Sequence, residues 1–97
     1  MGRERLGDTQ GMLFIYQADA TPTFWMRGML IPLDIIWIDV DGVVAGIERD
    51  APPAPSTTDP PLYYPSRPIR YVLEINAGSA GELGIAPGSL ATLLGIP

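Results

Sequence analysis

Apolar residues along this chain gather in short runs rich in β-branched and aromatic side chains, each cut off by Gly, Pro or Asp. The runs are Met12 to Tyr16, Thr23 to Arg27, Ile35 to Val40, Val43 to Ile47, Tyr71 to Ile75 and Leu90 to Leu94. Runs of this length and composition predict strands. Six of them in 97 residues predict an all-β single domain spanning 1–97, a small β-barrel or barrel-like sandwich with one compact core.

The strongest local pattern lies around Asp41-Gly42. A two-residue Asp-Gly loop suits a type I′ turn, which needs positive φ at both positions. That turn predicts a register in which Val40 faces Val43, Ile38 faces Ala45 and Ile36 faces Ile47, giving one apolar face that reads as the core side. One step further out on this face Asp34 is predicted opposite Arg49, as an ion pair at the rim. The reverse face puts Trp37 opposite Gly46, where an aromatic ring covers the missing side chain, with Asp39 and Glu48 beside it.

Asp50 to Pro68 holds seven prolines in nineteen residues. Proline removes backbone donors and fixes φ, so this stretch is predicted as a long, stiff loop, with Leu62, Tyr63 and Tyr64 packing back onto the domain. Ser79-Ala-Gly-Glu82 has the spacing of a capping box and predicts a one-turn helix. Gly84 is placed as its left-handed stop, and Pro87-Gly88 as a type II turn into the last strand. A second short helix is predicted over Arg3 to Thr9.

Composition narrows the chemistry. The chain has no Cys and no His, so thiol nucleophiles, disulfides, thiolate or histidine metal sites and Ser-His-Asp arrangements are excluded. Its net charge is −5 and its six basic residues, all Arg, are scattered singly, against the clustered basic face of a nucleic-acid binder. The absence of Lys points to a GC-rich genome, with thermostability as a side expectation. No run approaches the roughly 18 apolar residues of a membrane helix, and the segment before Gly11 lacks the apolar centre of an export signal.

Several residues suggest a site. Asp34, between Pro32-Leu33 and a strand, is placed as a pocket carboxylate that orients a polar ligand together with Arg27 or Arg49; a structural ion pair or turn cap explains it equally simply. Trp37, beside Asp39, is the candidate stacking surface for a sugar ring among Tyr16, Trp25, Tyr63, Tyr64 and Tyr71, although covering Gly46 is also a sufficient reason for it. Asp39-x-Asp41-Gly42 looks like half a calcium loop, but the hairpin turn accounts for it and the rest of such a loop is missing. Asp34 with Glu74 could form a glycosidase-type pair only if their carboxyl groups stood about 5 to 9.5 Å apart across a cleft.

Taken together, Gly11-Met-Leu-Phe14, Phe24-Trp-Met26, Pro32-Leu-Asp34, Asp39-x-Asp-Gly42, Val72-Leu-Glu74, Gly78 and Gly84-Ile-x-x-Gly88 resemble the uncharacterised bacterial and archaeal family named domain of unknown function 192. The resemblance runs along nearly the whole chain and implies a small barrel-like β fold with no established activity. Relative to the family pattern the N-terminus looks shortened, which implies that an export signal and an edge strand are absent from this form. Arg27, Gly28 and Met29 replace the family's basic residue, Asn and Thr, and Ser89 stands where Asp is frequent.

The resulting expectation is a non-catalytic binding or accessory module for a small polar ligand or glycan, using Asp34, Arg27, Arg49 and Trp37, without cofactor or metal. The alternatives are a module that docks another protein, or a second copy of this chain, through the Pro-rich loop, and a carboxylate-dependent hydrolase.

Overall fold

Leu33-Asp-Ile-Ile-Trp-Ile38 is apolar at five of six positions with no alternation, the pattern of a strand covered on both faces. The computed structural model, which describes residues 11–26, 31–52 and 61–90, shows all six of these residues buried. They form β3 (Leu33–Ile38), an inner strand of an open four-stranded antiparallel sheet in the order β1-β6-β3-β4, with β1 at Gly11–Ala20, β4 at Val44–Ala51 and β6 at Ile69–Asn76. A second sheet pairs β2 (Phe24–Trp25) with β5 (Leu62–Tyr63). The fold is mainly β, and β1 and β4 lie at opposite edges of the large sheet and do not pair, so of the two expected forms, a small barrel or a barrel-like sandwich, the closed barrel is not formed. The Arg3–Thr9 helix, Arg27, Pro-rich residues 53–60 and the strand expected after Leu90 fall outside the described residues.

Each face of the large sheet carries its own apolar cluster. Leu33, Ile35 and Trp37 join Phe24, Met26, Ala51, Ile69 and Val72 on one side, where the small sheet inserts Phe24. Ile36 and Ile38 join Val44, Ile75, Ala80 and Ile85 on the other, under the single-turn helix α1 (Ser79–Glu82). The apolar ribbon face predicted from the Asp-Gly register is therefore only half of the core. Trp37 is not on an outward face: its ring meets Phe24 edge to face at 5.6 Å, and Phe24 meets Phe14 in the same way at 5.3 Å.

The hairpin between β3 and β4 differs from the type I′ expectation. Ile36↔Ile47 and Trp37↔Gly46 pair as predicted, but Ile38 pairs with Val44 because Ala45 is extruded as a bulge. The loop has three residues, closed by Asp39 N donating to the Val43 carbonyl at 2.9 Å, and only Gly42 has positive φ, at 79°. The cause is the Asp39 side chain. Its Oδ1 accepts the Asp41 and Val43 amides, both at 2.9 Å, which stabilises a tight turn ending in a left-handed glycine. The Ser79–Glu82 helix, the left-handed Gly84 at φ 71° and the turn through Gly88 at φ 93° are all present. In that turn Ser89 Oγ accepts the Ala86 amide at 3.0 Å, so the hydroxyl can close the loop without a carboxylate.

Two glycines test this packing. A Cβ at Gly46 would lie 3.6 Å from Trp37 Cδ1, an ordinary contact, whereas one at Gly11 would lie 2.8 Å from Ile75 Cγ2 and 2.9 Å from the Glu74 carbonyl oxygen. Gly11→Ala should lower unfolding free energy by about 1–3 kcal/mol in urea titration. Gly46→Ala should leave it unchanged or raise it by a few tenths, because glycine inside a strand is itself unfavourable by about 0.5–1 kcal/mol. Equal losses in the two variants would contradict the assigned register.

Candidate functional site

Asp34 lies on the α1 side of β3 and is only 1% exposed. It does not pair with Arg49. The β3–β4 register steps from Ile35↔Glu48 to Leu33↔Ala51, so Arg49 and Asp50 together oppose Asp34 in a bulge. Asp50 holds the left-handed conformation there, at φ 53°, and donates its amide to Asp34 Oδ1 at 2.9 Å. Asp34 Oδ2 accepts the amides of Gly78 at 3.1 Å and Ala80 at 3.0 Å. The predicted Ser79–Glu82 capping box is not used, since the helix start has no cap from its own side chains. A carboxylate 44 and 46 residues away in sequence does that work instead. Arg49 turns to the Ile85 carbonyl, donating through Nη2 at 3.0 Å.

Of the four residues expected to form a site, Asp34 and Trp37 thus lie on opposite faces of β3, Arg49 tethers the segment after α1, and Arg27 is outside the described residues. Asp39, the first residue of the calcium-like string, spends Oδ1 on its own turn and Oδ2 on Arg67 Nη1 at 2.7 Å. Burial pushes its carboxyl toward the neutral form, but the bonds from Val43, Arg67 and Asp41 outweigh this and hold its pKa below the usual range.

The second buried carboxyl is unlike the first. Glu74 on β6 is fully buried and pairs across the sheet with Met12 on one side and Ile35 on the other. Because Asp34 pairs with Ile75, Glu74 faces the opposite side of the sheet, and no single cleft holds both carboxyls as a glycosidase pair. Neither Glu74 carboxyl oxygen has a hydrogen-bond partner among the described residues. Burial accordingly raises its pKa above the model-peptide value of 4.5.

On this side Met12, Phe14 and Tyr16 share one face of β1, by strand alternation. With Pro22, Thr23, Phe24 and Trp25 they line an open groove of about 410 Å³. Its described walls carry four aromatic rings and no charge. Tyr16 has its pKa raised by burial and then by the negative charge of Glu74. Trp25 is 46% exposed, so its ring surface is partly accessible. Tyr16 and Trp25 were among the aromatics readable as a stacking surface. Met12, Phe14 and Phe24 look like core from the sequence, and only the pairing of β1 with β6 and the return of β2 assemble them into one wall.

The two carboxyls predict opposite behaviour. Asp34→Ala would orphan three backbone donors and should cost on the order of 3 kcal/mol or more in urea titration; a loss below about 1 kcal/mol would refute the clamp. For Glu74, folding binds a proton more tightly than the unfolded chain does. Its contribution is therefore most favourable at low pH and is lost as pH rises from about 4.5 through the raised folded-state value, then levels off. The stability of Glu74→Gln relative to the native chain should rise across that same window, and a pH-independent difference would contradict a buried, unpartnered carboxyl.

The profile of domain of unknown function 192, described as an uncharacterised ACR family, matches residues 1–93. A crystal structure of a protein of unknown function from Novosphingobium aromaticivorans DSM 12444 is similar at 41% identity and a TM-score of 0.81, covering 93% of this chain and 61% of that one. Another, of a protein described as a candidate transcription regulator from Sinorhizobium meliloti 1021, is similar at 31% identity and a TM-score of 0.80, covering 93% of this chain and 67% of that one. This chain thus spans less than two thirds of the length of the first of these relatives. No curated protein matches the chain. The glycines and the Pro32-Leu-Asp34 and Val72-Leu-Glu74 blocks that carry the resemblance are the turns, the clamp and the buried carboxyl just described, and the chain belongs to the domain of unknown function 192 family.

Proposed function

We propose that the protein is a non-catalytic binding module for a small polar ligand, a glycan included, and that the ligand lies in the groove between β1 and β2. The observation that carries this reading is the combination of a partly accessible aromatic wall with a fully buried carboxyl that has no hydrogen-bond partner among the described residues. A volume of about 410 Å³ suits a small molecule. Three of the four residues expected from the sequence take supporting parts: Trp37 packs against Phe24, and Asp34 and Arg49 tie down the opposite face of the sheet. The regulatory description of the S. meliloti relative is not carried over to nucleic-acid binding. This chain has a net charge of −5, and Arg67 and Arg70 are ion-paired with Asp39 and Asp19.

A second reading, docking of another protein or a second copy, is favoured by one observation. Leu62 and Tyr64 in the segment that follows the prolines are 55% and 67% exposed, and Leu62 pairs with Trp25.

Melting temperatures across sugars, nucleotides, organic acids, amines and divalent cations separate the two. A ligand at 100 times its Kd adds about 2.7 kcal/mol of stability. A selective rise that disappears in folded Trp25→Ala is the expected result. A flat panel, with sedimentation showing a mass that grows with concentration, would replace the groove by the docking surface.

A further inference from the structure

Resting on the groove reading, we infer that its ligand is a small organic cation, an alkyl or quaternary ammonium group enclosed by Phe14, Tyr16, Phe24 and Trp25 and drawn in by the carboxyl of Glu74. Three observations converge on this class. The described walls supply ring faces, whose quadrupoles attract cations, together with the soft thioether of Met12 and no charged side chain. Beside them sits an acid that is wholly buried with neither oxygen bonded, so its charge is neither solvated nor neutralised by a described residue. Finally, the chain carries a net charge of −5, which favours the approach of cations over anions.

A neutral sugar would use the ring faces but leave the Glu74 carboxyl unanswered, and an organic anion would meet its repulsion. An ammonium over the β1 wall answers both. It need not touch Glu74, which is outside the groove lining but neighbours the lining residue Met12 across the strands, because an electrostatic interaction in buried apolar surroundings is poorly screened. The described titratable groups around Glu74 are few. Tyr16 faces it from β1, Glu48 follows Ile35 along the same pairing row on β4, and Asp34 on β3 is turned to the other side of the sheet. Burial raises the Glu74 pKa and a nearby cation lowers it, so binding releases protons from this carboxyl to buffer. No covalent step is involved.

The test is isothermal titration of the full chain with tetramethylammonium chloride, choline chloride and the neutral isostere 3,3-dimethyl-1-butanol, at constant ionic strength, in two buffers of different ionisation enthalpy. The cations should bind at least about tenfold more tightly than the alcohol, with heats that depend on buffer in the direction of proton release. In Glu74→Gln the preference should fall about tenfold and the buffer dependence vanish, whereas Trp25→Ala should weaken binding while keeping it. Equal affinity for cation and alcohol would overturn the inference and leave the groove reading standing. Cation binding untouched by both substitutions would overturn the two together. Absence of binding by all three probes would overturn the inference, and the ligand panel then decides the groove independently.

Discussion

The carboxylate of Asp34 is the constraint on which the rest of this structure depends. One buried group receives the amides of Asp50, Gly78 and Ala80, and so joins the bulge of an edge strand to the start of the only described helix. Each bond alone is ordinary. Together they replace the solvation that burial removes from the carboxylate, and they hold Asp50 in a left-handed conformation that a non-glycine residue adopts only under such restraint. The helix is a single turn with no cap of its own, so its position over Ile36 and Ile75 rests on this anchor, on Ala80 and on the Arg49 tether to Ile85.

With one face of the sheet fixed in this way, the other is free to carry a site. Phe24 links Phe14 to Trp37, connecting the groove wall to the buried centre of β3 through two edge-to-face contacts. Glu74 is placed in that layer without any of the compensation given to Asp34. The two carboxyls are equally buried, yet Asp34 accepts three amides while Glu74 has no hydrogen-bond partner among the described residues, and an unpartnered buried acid lowers stability.

The sequence was informative where a residue's own chemistry determines its geometry. Gly42, Gly84 and Gly88 mark left-handed positions, Trp37 finds Gly46, and the apolar run from Ile35 marks a strand. It was silent where a distant backbone decides. No local pattern marks the extrusion of Ala45: the sequence assigns Asp39 to the hairpin in preference to a calcium loop, but not the capping bonds by which it sets the turn. Asp34 was recognisable as important, but its partners are amides supplied 16 to 46 residues later, so an ion pair with Arg49 was the nearest inference. Glu74 reads from the sequence only as a conditional glycosidase-type partner of Asp34. Only the covering of both faces makes it interior.

The central claim is that Glu74 is a buried carboxyl whose pKa burial raises, that it has no hydrogen-bond partner among the described residues, and that the proposed ligand answers it with a cation. Carboxyl carbon NMR of Glu74 against pH, without and with saturating tetramethylammonium, tests it most directly. The account predicts a midpoint above the ordinary glutamate range in the free protein and a lower midpoint with the cation present. A midpoint at the ordinary value in the free protein, unmoved by the cation, would contradict it.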